Sequence, residues 1–110
     1  MPDPVAELLE TYGAALRDAA RLEADAEHLE HMRKVVLAEE MNRITDAGGS
    51  VAKAENLARG TDRYKTHLVE LHRVKAAAGE ARAKAVYLDA RIGVWRTRMA
   101  TARQQHRGKQ

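Results

Sequence analysis

Residues 64–102 read YKTHLVELHRVKAAAGEARAKAVYLDARIGVWRTRMATA, and apolar side chains recur in them with a seven-residue period. One series occurs every seven residues without a gap: Tyr64, Leu71, Ala78, Ala85, Ile92 and Met99. A second series lies between its members: Val74, Ala81, Leu88, Trp95 and Ala102. Two interleaved series of this length keep one stripe of an α-helix against a partner helix, as in a coiled coil. The sequence therefore predicts a long helix over about residues 62–106 that packs on another helix.

The start of the chain predicts a second long helix with the same period. Asp3 suits the N-cap and Pro4 the first helical position, because Asp accepts hydrogen bonds from free amides and Pro has no amide hydrogen to leave unpaired. Two heptad series follow: Val5, Tyr12, Ala19 and Ala26, and Leu8, Ala15, Leu22, Leu29 and Val36. We therefore expect a first helix over about residues 4–46.

Residues 46–50, DAGGS, predict the end of that helix, since paired glycines adopt the left-handed conformation that helix ends favour. Ser50 can cap a short helix over about residues 51–59. Thr61 or Asp62 then caps the last helix. The order is therefore a long helix, a turn, a short helix and a second long helix.

Charge is segregated along the chain, and this segregation predicts how the long helices pair. Residues 1–58 carry twelve acidic side chains and six Lys or Arg, a net charge of −6, whereas residues 59–110 carry four and thirteen, +9. Antiparallel helices would bring acidic and basic positions beside the two stripes together: Glu23 with Arg82, Glu30 with Lys75, Asp18 with Arg91, and Asp25 with Lys84. We therefore predict an all-α fold, a long antiparallel helical hairpin (a coiled coil) with a short helix at the turn end.

Length and composition favour a single domain over residues 1–110 with a thin core. The chain has no Cys, no Phe and twenty-one Ala, so it offers no disulfide or thiolate site and few large apolar side chains. Side-by-side helix packing and assembly of several copies would compensate. No leader pattern and no apolar run of membrane-spanning length occur, which predicts a cytoplasmic protein without a membrane partner. We expect residues 104–110 to fray.

A second apolar stripe on the last helix points away from the first. It consists of Ala83, Val86, Tyr87, Ala90 and Val94. One partner helix cannot cover both stripes, so we expect a homo-oligomer in which other copies bury the second stripe. The alternative is that these mostly small residues are tolerated at the surface.

Histidines and carboxylates give weak signals for chemistry. His28 and His31 share a helix face beside Glu27 and Glu30, but no Glu-x-x-His pair of the di-iron helical type occurs, and we expect neither a metal nor another cofactor. His67 occupies a stripe position, where a partly buried polar residue can fix the register of the helices. No glycine-rich phosphate loop or Gly-x-Ser-x-Gly motif occurs, so we predict that the protein is not an enzyme.

The last helix ends in a run of cations that is the best candidate for a functional surface. No acidic residue follows Asp89, and binding of a polyanion needs several cations presented together. The candidate nucleic-acid-binding residues are Lys84, Arg91, Arg96, Arg98, Arg103, Arg107 and Lys109. Tyr87 and Trp95 are close enough in sequence to add an aromatic surface, but Trp95 belongs to the first stripe, where a core position is expected. Lys84 and Arg91 can instead face the acids named above.

Part of the chain resembles small helical proteins that bacteriophages encode near their recombination genes. The resemblance lies in Ala54-Glu55-Asn56-Leu57-Ala58-Arg59, in Tyr64, and in the helical run that ends in Val94-Trp95-Arg96. Over residues 50–103 this pattern is similar in plan to the UvsY recombination-mediator family. The resemblance implies a non-catalytic helical oligomer in a bacterial host cell. It would bind single-stranded DNA and help load a recombinase while displacing the single-strand-binding protein.

Two functional hypotheses follow. The first is an oligomeric recombination accessory protein that holds single-stranded DNA on its basic surface and bridges it to a recombinase. The second is a structural or adaptor coiled coil that binds other proteins without nucleic-acid contact, its arginines being matched by acidic helices.

Overall fold

The computed structural model describes residues 3–108. These residues form three α-helices, α1 (Pro4–Asp46), α2 (Ala54–Arg59) and α3 (Asp62–Gly108), with one turn of 3-10 helix, Val51–Lys53, directly before α2. All regular elements in this range are helical, which confirms the all-α class. The bounds differ from the expected ones mainly at the end of α3, which stays helical to Gly108 although fraying was expected from residue 104.

Local capping interactions explain where α1 begins and ends. The Val5 amide donates a hydrogen bond to Asp3 Oδ1 at 3.0 Å, which confirms Asp3 as the N-cap. At the other end Gly48 has φ +91°, and the Gly49 amide donates to the Ile44 carbonyl at 2.9 Å. This left-handed glycine satisfies carbonyls that the last turn of α1 would otherwise leave unpaired.

Ser50 does not cap the short helix, so that prediction is wrong. Its side chain makes no cap hydrogen bond, and the segment begins instead as a 3-10 turn in which the Lys53 amide donates to the Ser50 carbonyl at 3.2 Å. Thr61 is the residue that acts at the start of α3, since the Tyr64 amide donates to its Oγ1 at 3.3 Å. The sequence had left Thr61 and Asp62 as alternatives.

The contacts of the chain divide it into two compact units, each built from part of both long helices. We call residues 21–78 the hairpin unit, and residues 3–20 with 79–108 the terminal unit. That residues 1–110 form one domain stays a prediction.

In the hairpin unit, α1 and α3 run antiparallel on either side of the turn. Arg63 pairs with Glu39 at 2.6 Å and Lys75 with Glu30 at 3.1 Å. From the first pair to the second, the residue number rises on α3 and falls on α1, so the two helices are antiparallel. The second of these pairs is one that the sequence predicted. The buried apolar side chains of this unit come from all three helices: Ala26, Val36, Ala54, Ala58, Tyr64, Leu71, Val74 and Ala78.

In the terminal unit the core is small and ends before α3 does. Ala15 of α1 packs with Ala85 and Leu88 of α3, and Leu8, Tyr12 and Leu16 cover this cluster. Ile92 is the last buried residue of the described chain, because every residue from 93 to 108 is exposed. The predicted stripe is thus confirmed as buried from Tyr64 to Ile92, with Ala81 half-buried and His67 likewise at intermediate exposure.

Among the described residues, no helical stretch combines the length and the apolar character that a membrane crossing requires.

Candidate nucleic-acid interface

The predicted cations lie in two rows on α3. Six of the seven are described and all six are exposed, whereas Lys109 lies outside residues 3–108. Residues seven apart share a helix face, since two turns take about seven residues. The first row, which we call the groove row, holds Lys84, Arg91 and Arg98. The second, the outer row, holds Arg96 and Arg103 and ends with Arg107, which follows Arg103 by about one helical turn.

The two rows flank the stripe that packs on α1 in the terminal unit. Trp95 and Met99 lie on that stripe between the rows, and they are 37% and 38% exposed. The expectation that Trp95 is a core residue is therefore wrong. The physical reason is the start of α1 at Pro4, which leaves the stripe of α3 only partly covered beyond Ile92.

The candidate cations of the terminal unit differ from Arg63 and Lys75 of the hairpin unit in their partners. Arg63 and Lys75 are bound to carboxylates as described above. Within the described part of the chain, Lys84, Arg98 and the whole outer row form no ion pair and no side-chain hydrogen bond. Their charges are therefore available to another molecule.

The outer row has few acidic neighbours along its flank of the helix pair. On α1, the heptad position on this flank is occupied by Glu30 and Glu23. Closer to the start of α1, the same position is occupied by Leu16 and Leu9, which are apolar. On α3 itself no acid follows Asp89. Asp89 shares the heptad position of Arg96 and lies about 10 Å before it along the axis. Beyond Asp89, no carboxylate of α3 offsets the positive potential of Arg96, Arg103 and Arg107.

The groove row borders a groove between the start of α1 and the end of α3. The groove has a volume of about 1020 Å³, and its apolar lining includes Val5, Leu8, Val94, Trp95 and Met99. Charged side chains of both signs also line it: Asp3 and Glu7 at the start of α1, and Arg91 and Arg98 from α3. An apolar surface that carries opposite charges on its two sides suits a helix or another protein segment better than a phosphate backbone.

Arg91 makes an additional contact at this groove. Its Cζ atom lies over the ring of Tyr87, 5.9 Å from the centroid, in cation–π geometry. Tyr87 is itself well exposed. The pairing orients the guanidinium along the helix surface. The predicted pairs of Arg91 with Asp18 and of Arg82 with Glu23 stay predictions. The predicted pair of Lys84 with Asp25 is wrong, because Lys84 has no ion pair within the described residues.

The hairpin unit contains ionised groups that stabilise the fold instead of forming a site. Hydrogen bonds from Lys75 and then Arg33 lower the pKa of the Glu30 carboxyl, and the hydrogen bond from Arg43 does the same for Glu40. Glu40 is buried, and its carboxylate is 3.1 Å from the Arg43 Nε and 3.8 Å from the Arg63 guanidinium. This arrangement ties the end of α1 to the start of α3.

The histidine and glutamate positions of α1 do not assemble a metal site in the described residues. Glu27, Glu30 and His31 line a shallow pocket of about 530 Å³, but Arg33, Lys34 and Lys75 line it as well. No three potential ligands gather anywhere in residues 3–108.

The chain matches no protein-family model, no curated protein and no solved structure. The resemblance to the UvsY family therefore depends on the residue pattern alone.

Sequence reasoning found the cations but missed the groove and the exposure of Trp95. A signal for both was present in the helix lengths. Because α1 was expected from residue 4 and Ala15 packs on Ala85 and Leu88, α1 begins near the level of Met99, and the rest of α3 extends past it.

Proposed function

We propose that this protein is a non-catalytic, phage-type accessory protein of DNA recombination that binds single-stranded nucleic acid along the basic end of α3. The observation that supports this proposal most directly is the outer row, Arg96, Arg103 and Arg107, three exposed arginines without a carboxylate partner in the described chain. In this role the protein acts in the cytoplasm of a bacterial host, and it makes and breaks no bond.

The outer row suits a single strand because of its spacing. Arg96 and Arg103 are separated by roughly 10 Å along the helix axis, and Arg103 and Arg107 by roughly 6 Å. Several phosphates of a strand pass within such a distance, so each guanidinium can contact a different one. Arginine binds phosphate in a bidentate manner and retains its charge at any physiological pH. Contacts of this kind give weak sequence preference and strong dependence on salt.

The groove row is the weaker part of the proposed interface. Lys84, Arg91 and Arg98 add positive charge, but Asp3 and Glu7 line the same groove as Arg91 and Arg98 and repel phosphate. We therefore assign the main phosphate contacts to the outer row and to Lys109, which follows it in sequence.

Two further parts of the proposal, oligomer formation and recombinase loading, depend on fewer observations. The protein acts as a homo-oligomer, because the exposed apolar side chains Val86, Tyr87 and Val94 require cover. Loading of a recombinase in competition with a single-strand-binding protein comes only from the resemblance to the UvsY family. A strand-exchange reaction containing both of those proteins, with and without this one, tests the loading role.

A salt titration tests nucleic-acid binding. Fluorescence anisotropy of a labelled single-stranded oligonucleotide is measured at several salt concentrations for the wild type and for the triple variant Arg96→Gln/Arg103→Gln/Arg107→Gln. Each lost phosphate contact lowers the slope of log K against log salt by about 0.7, so the variant should have a slope smaller by about 2.

The matched control removes three positive charges from the hairpin unit, with Lys34→Gln/Lys53→Gln/Lys65→Gln. All three lysines are exposed. This control should bind nearly as tightly as the wild type. Equal loss in both variants would mean that only net charge matters, and absence of wild-type binding at low salt would remove the proposal.

The alternative function, a structural or adaptor protein, is favoured by the groove, whose apolar and mixed-charge lining suits a protein segment. It predicts that the outer row is neutralised by carboxylates of a partner. In that case the triple variant loses the partner, and the oligonucleotide does not bind in the first place.

A further inference from the structure

We infer that a second copy of this chain docks across the groove of the terminal unit, so that the start of α1 in each copy lies against the end of α3 in the other. The inference extends the homo-oligomeric part of the proposed function and does not depend on nucleic-acid binding.

The first support is the interrupted stripe of α3. Ala85, Leu88 and Ile92 are buried against α1, and the same heptad series continues into Trp95 and Met99, which are only partly covered. A heptad stripe that continues past its partner is a surface for another helix. The second copy therefore extends the packing that already exists in the terminal unit.

Apolar exposure around the groove gives the second support. Tyr87 and Val94 line the groove and are well exposed, and Trp95 and Met99, which also line it, are partly exposed. Single exposed apolar residues are ordinary, but a cluster of large ones that includes Trp and Tyr marks an interaction surface.

Charge complementarity indicates which molecule covers the groove. Asp3 and Glu7 line it from α1, and Arg91 and Arg98 line it from α3. A two-fold axis across the groove places the acidic side of one copy against the basic side of the other, and the reverse contact forms at the same time. An approach of α3 to α3 would instead oppose arginines, since residues 93–108 contain four Arg and no acid.

A second copy can pair with both the acidic and the basic side of the groove, because each copy carries both kinds of charge there. The contact is isologous, and it leaves the outer row pointing away from the groove on the other flank of α3. Copy-to-copy contact through the groove row and nucleic-acid contact through the outer row are therefore compatible.

A charge swap in trans tests the inference. The full-length variants Glu7→Arg and Arg98→Glu are each analysed alone and as an equimolar mixture by sedimentation equilibrium. The wild type should have the mass of two chains, or of an even number of chains. Each variant alone should dissociate to one chain or to half that number, because both symmetric contacts become repulsive. The mixture should regain the wild-type mass, because a mixed pair has one swapped and one native contact, both attractive.

The matched controls are Glu27→Arg and Lys65→Glu, the same charge changes on exposed residues of the hairpin unit. They should keep the wild-type mass. Circular dichroism verifies that each variant is helical, so that a lower mass is not a folding defect.

A wild type that stays a single chain from micromolar to millimolar concentration overturns the inference. A mixture of the two variants that fails to associate also overturns the inference, because each substitution would then act within its own chain and not across an interface. A monomeric wild type that still binds the oligonucleotide through the outer row overturns the interface alone, and an oligomer that binds no oligonucleotide overturns the DNA proposal alone.

Discussion

His67 Nε2 lies 2.7 Å from the backbone carbonyl oxygen of Leu29, and this hydrogen bond joins α3 to α1 inside the hairpin unit. The carbonyl can only accept, so Nε2 carries the proton and donates it. His67 is the polar interruption of an otherwise apolar stripe, and its position at the helix interface agrees with the role in register that the sequence suggested.

Replacement of His67 should weaken the pairing of α1 and α3 in the hairpin unit. For His67→Ala we expect a loss of about 0.5–1.5 kcal/mol for the hydrogen bond, and a further loss from the packing of the ring. Urea unfolding followed by circular dichroism measures the change. His72→Ala, an exposed position on the same helix, is the control and should leave the midpoint nearly unchanged. Equal effects would contradict a specific role for His67.

Leu71 should be among the most costly core positions. It is 2% exposed, and Leu→Ala substitutions at such sites lower the free energy of unfolding by about 2–5 kcal/mol. Val69→Ala, two residues earlier and 69% exposed, should change it by no more than about 0.5 kcal/mol. Chemical denaturation of both variants gives their free energies of unfolding, and so compares a buried with an exposed position in the same turn of α3. A small effect at Leu71 would show that the stripe is not packed.

Gly48 and Gly79 should respond to alanine with opposite signs. Gly48 has φ +91°, a conformation that costs an L-residue about 1–2 kcal/mol, so Gly48→Ala should destabilise the turn. Gly79 is exposed within α3 with no side-chain atom within 4 Å of an added Cβ, so Gly79→Ala should stabilise the helix by about 0.5–1 kcal/mol. Thermal unfolding of the two variants gives the sign directly, and a stabilising Gly48→Ala would refute the left-handed turn.

Stability should fall when the solution is acidified. The pKa values of Glu30, Glu40 and Glu70 are lowered below their usual 4.5 by hydrogen bonds from Lys75, Arg43 and Arg73 respectively. A lowered pKa in the folded state means that the unfolded chain binds protons first, so the stabilisation is complete above about pH 4.5 and is lost as the pH falls through the lowered values.

Urea unfolding at a series of pH values between 7 and the acidic range measures this dependence. The double variant Glu30→Gln/Glu40→Gln should be less stable at neutral pH and should show a shallower loss on acidification. Glu27→Gln, at an exposed position, serves as the control. Stability that stays constant below the usual pKa of a carboxyl would contradict the role of these pairs.

The features that the sequence predicted correctly are local or periodic. The cap at Asp3 and the turn at Gly48 depend on one or two residues and their own backbone, so they could be recognised without knowing the partner helix. The stripe from Tyr64 to Ile92 follows from the period of the helix, and the pair Glu30 with Lys75 follows from that period once the hairpin is closed. The exposed cations could be located in the same way.

The tertiary structure decided the features that depend on where one helix ends beside another. Trp95 has the same heptad position as the buried Leu88, but α1 begins at Pro4 and does not cover it fully. The groove has the same origin. Periodicity determines which side of α3 a residue occupies, whereas burial also requires that a second surface reaches the same level along the axis, and only the packing of α1 on α3 determines that.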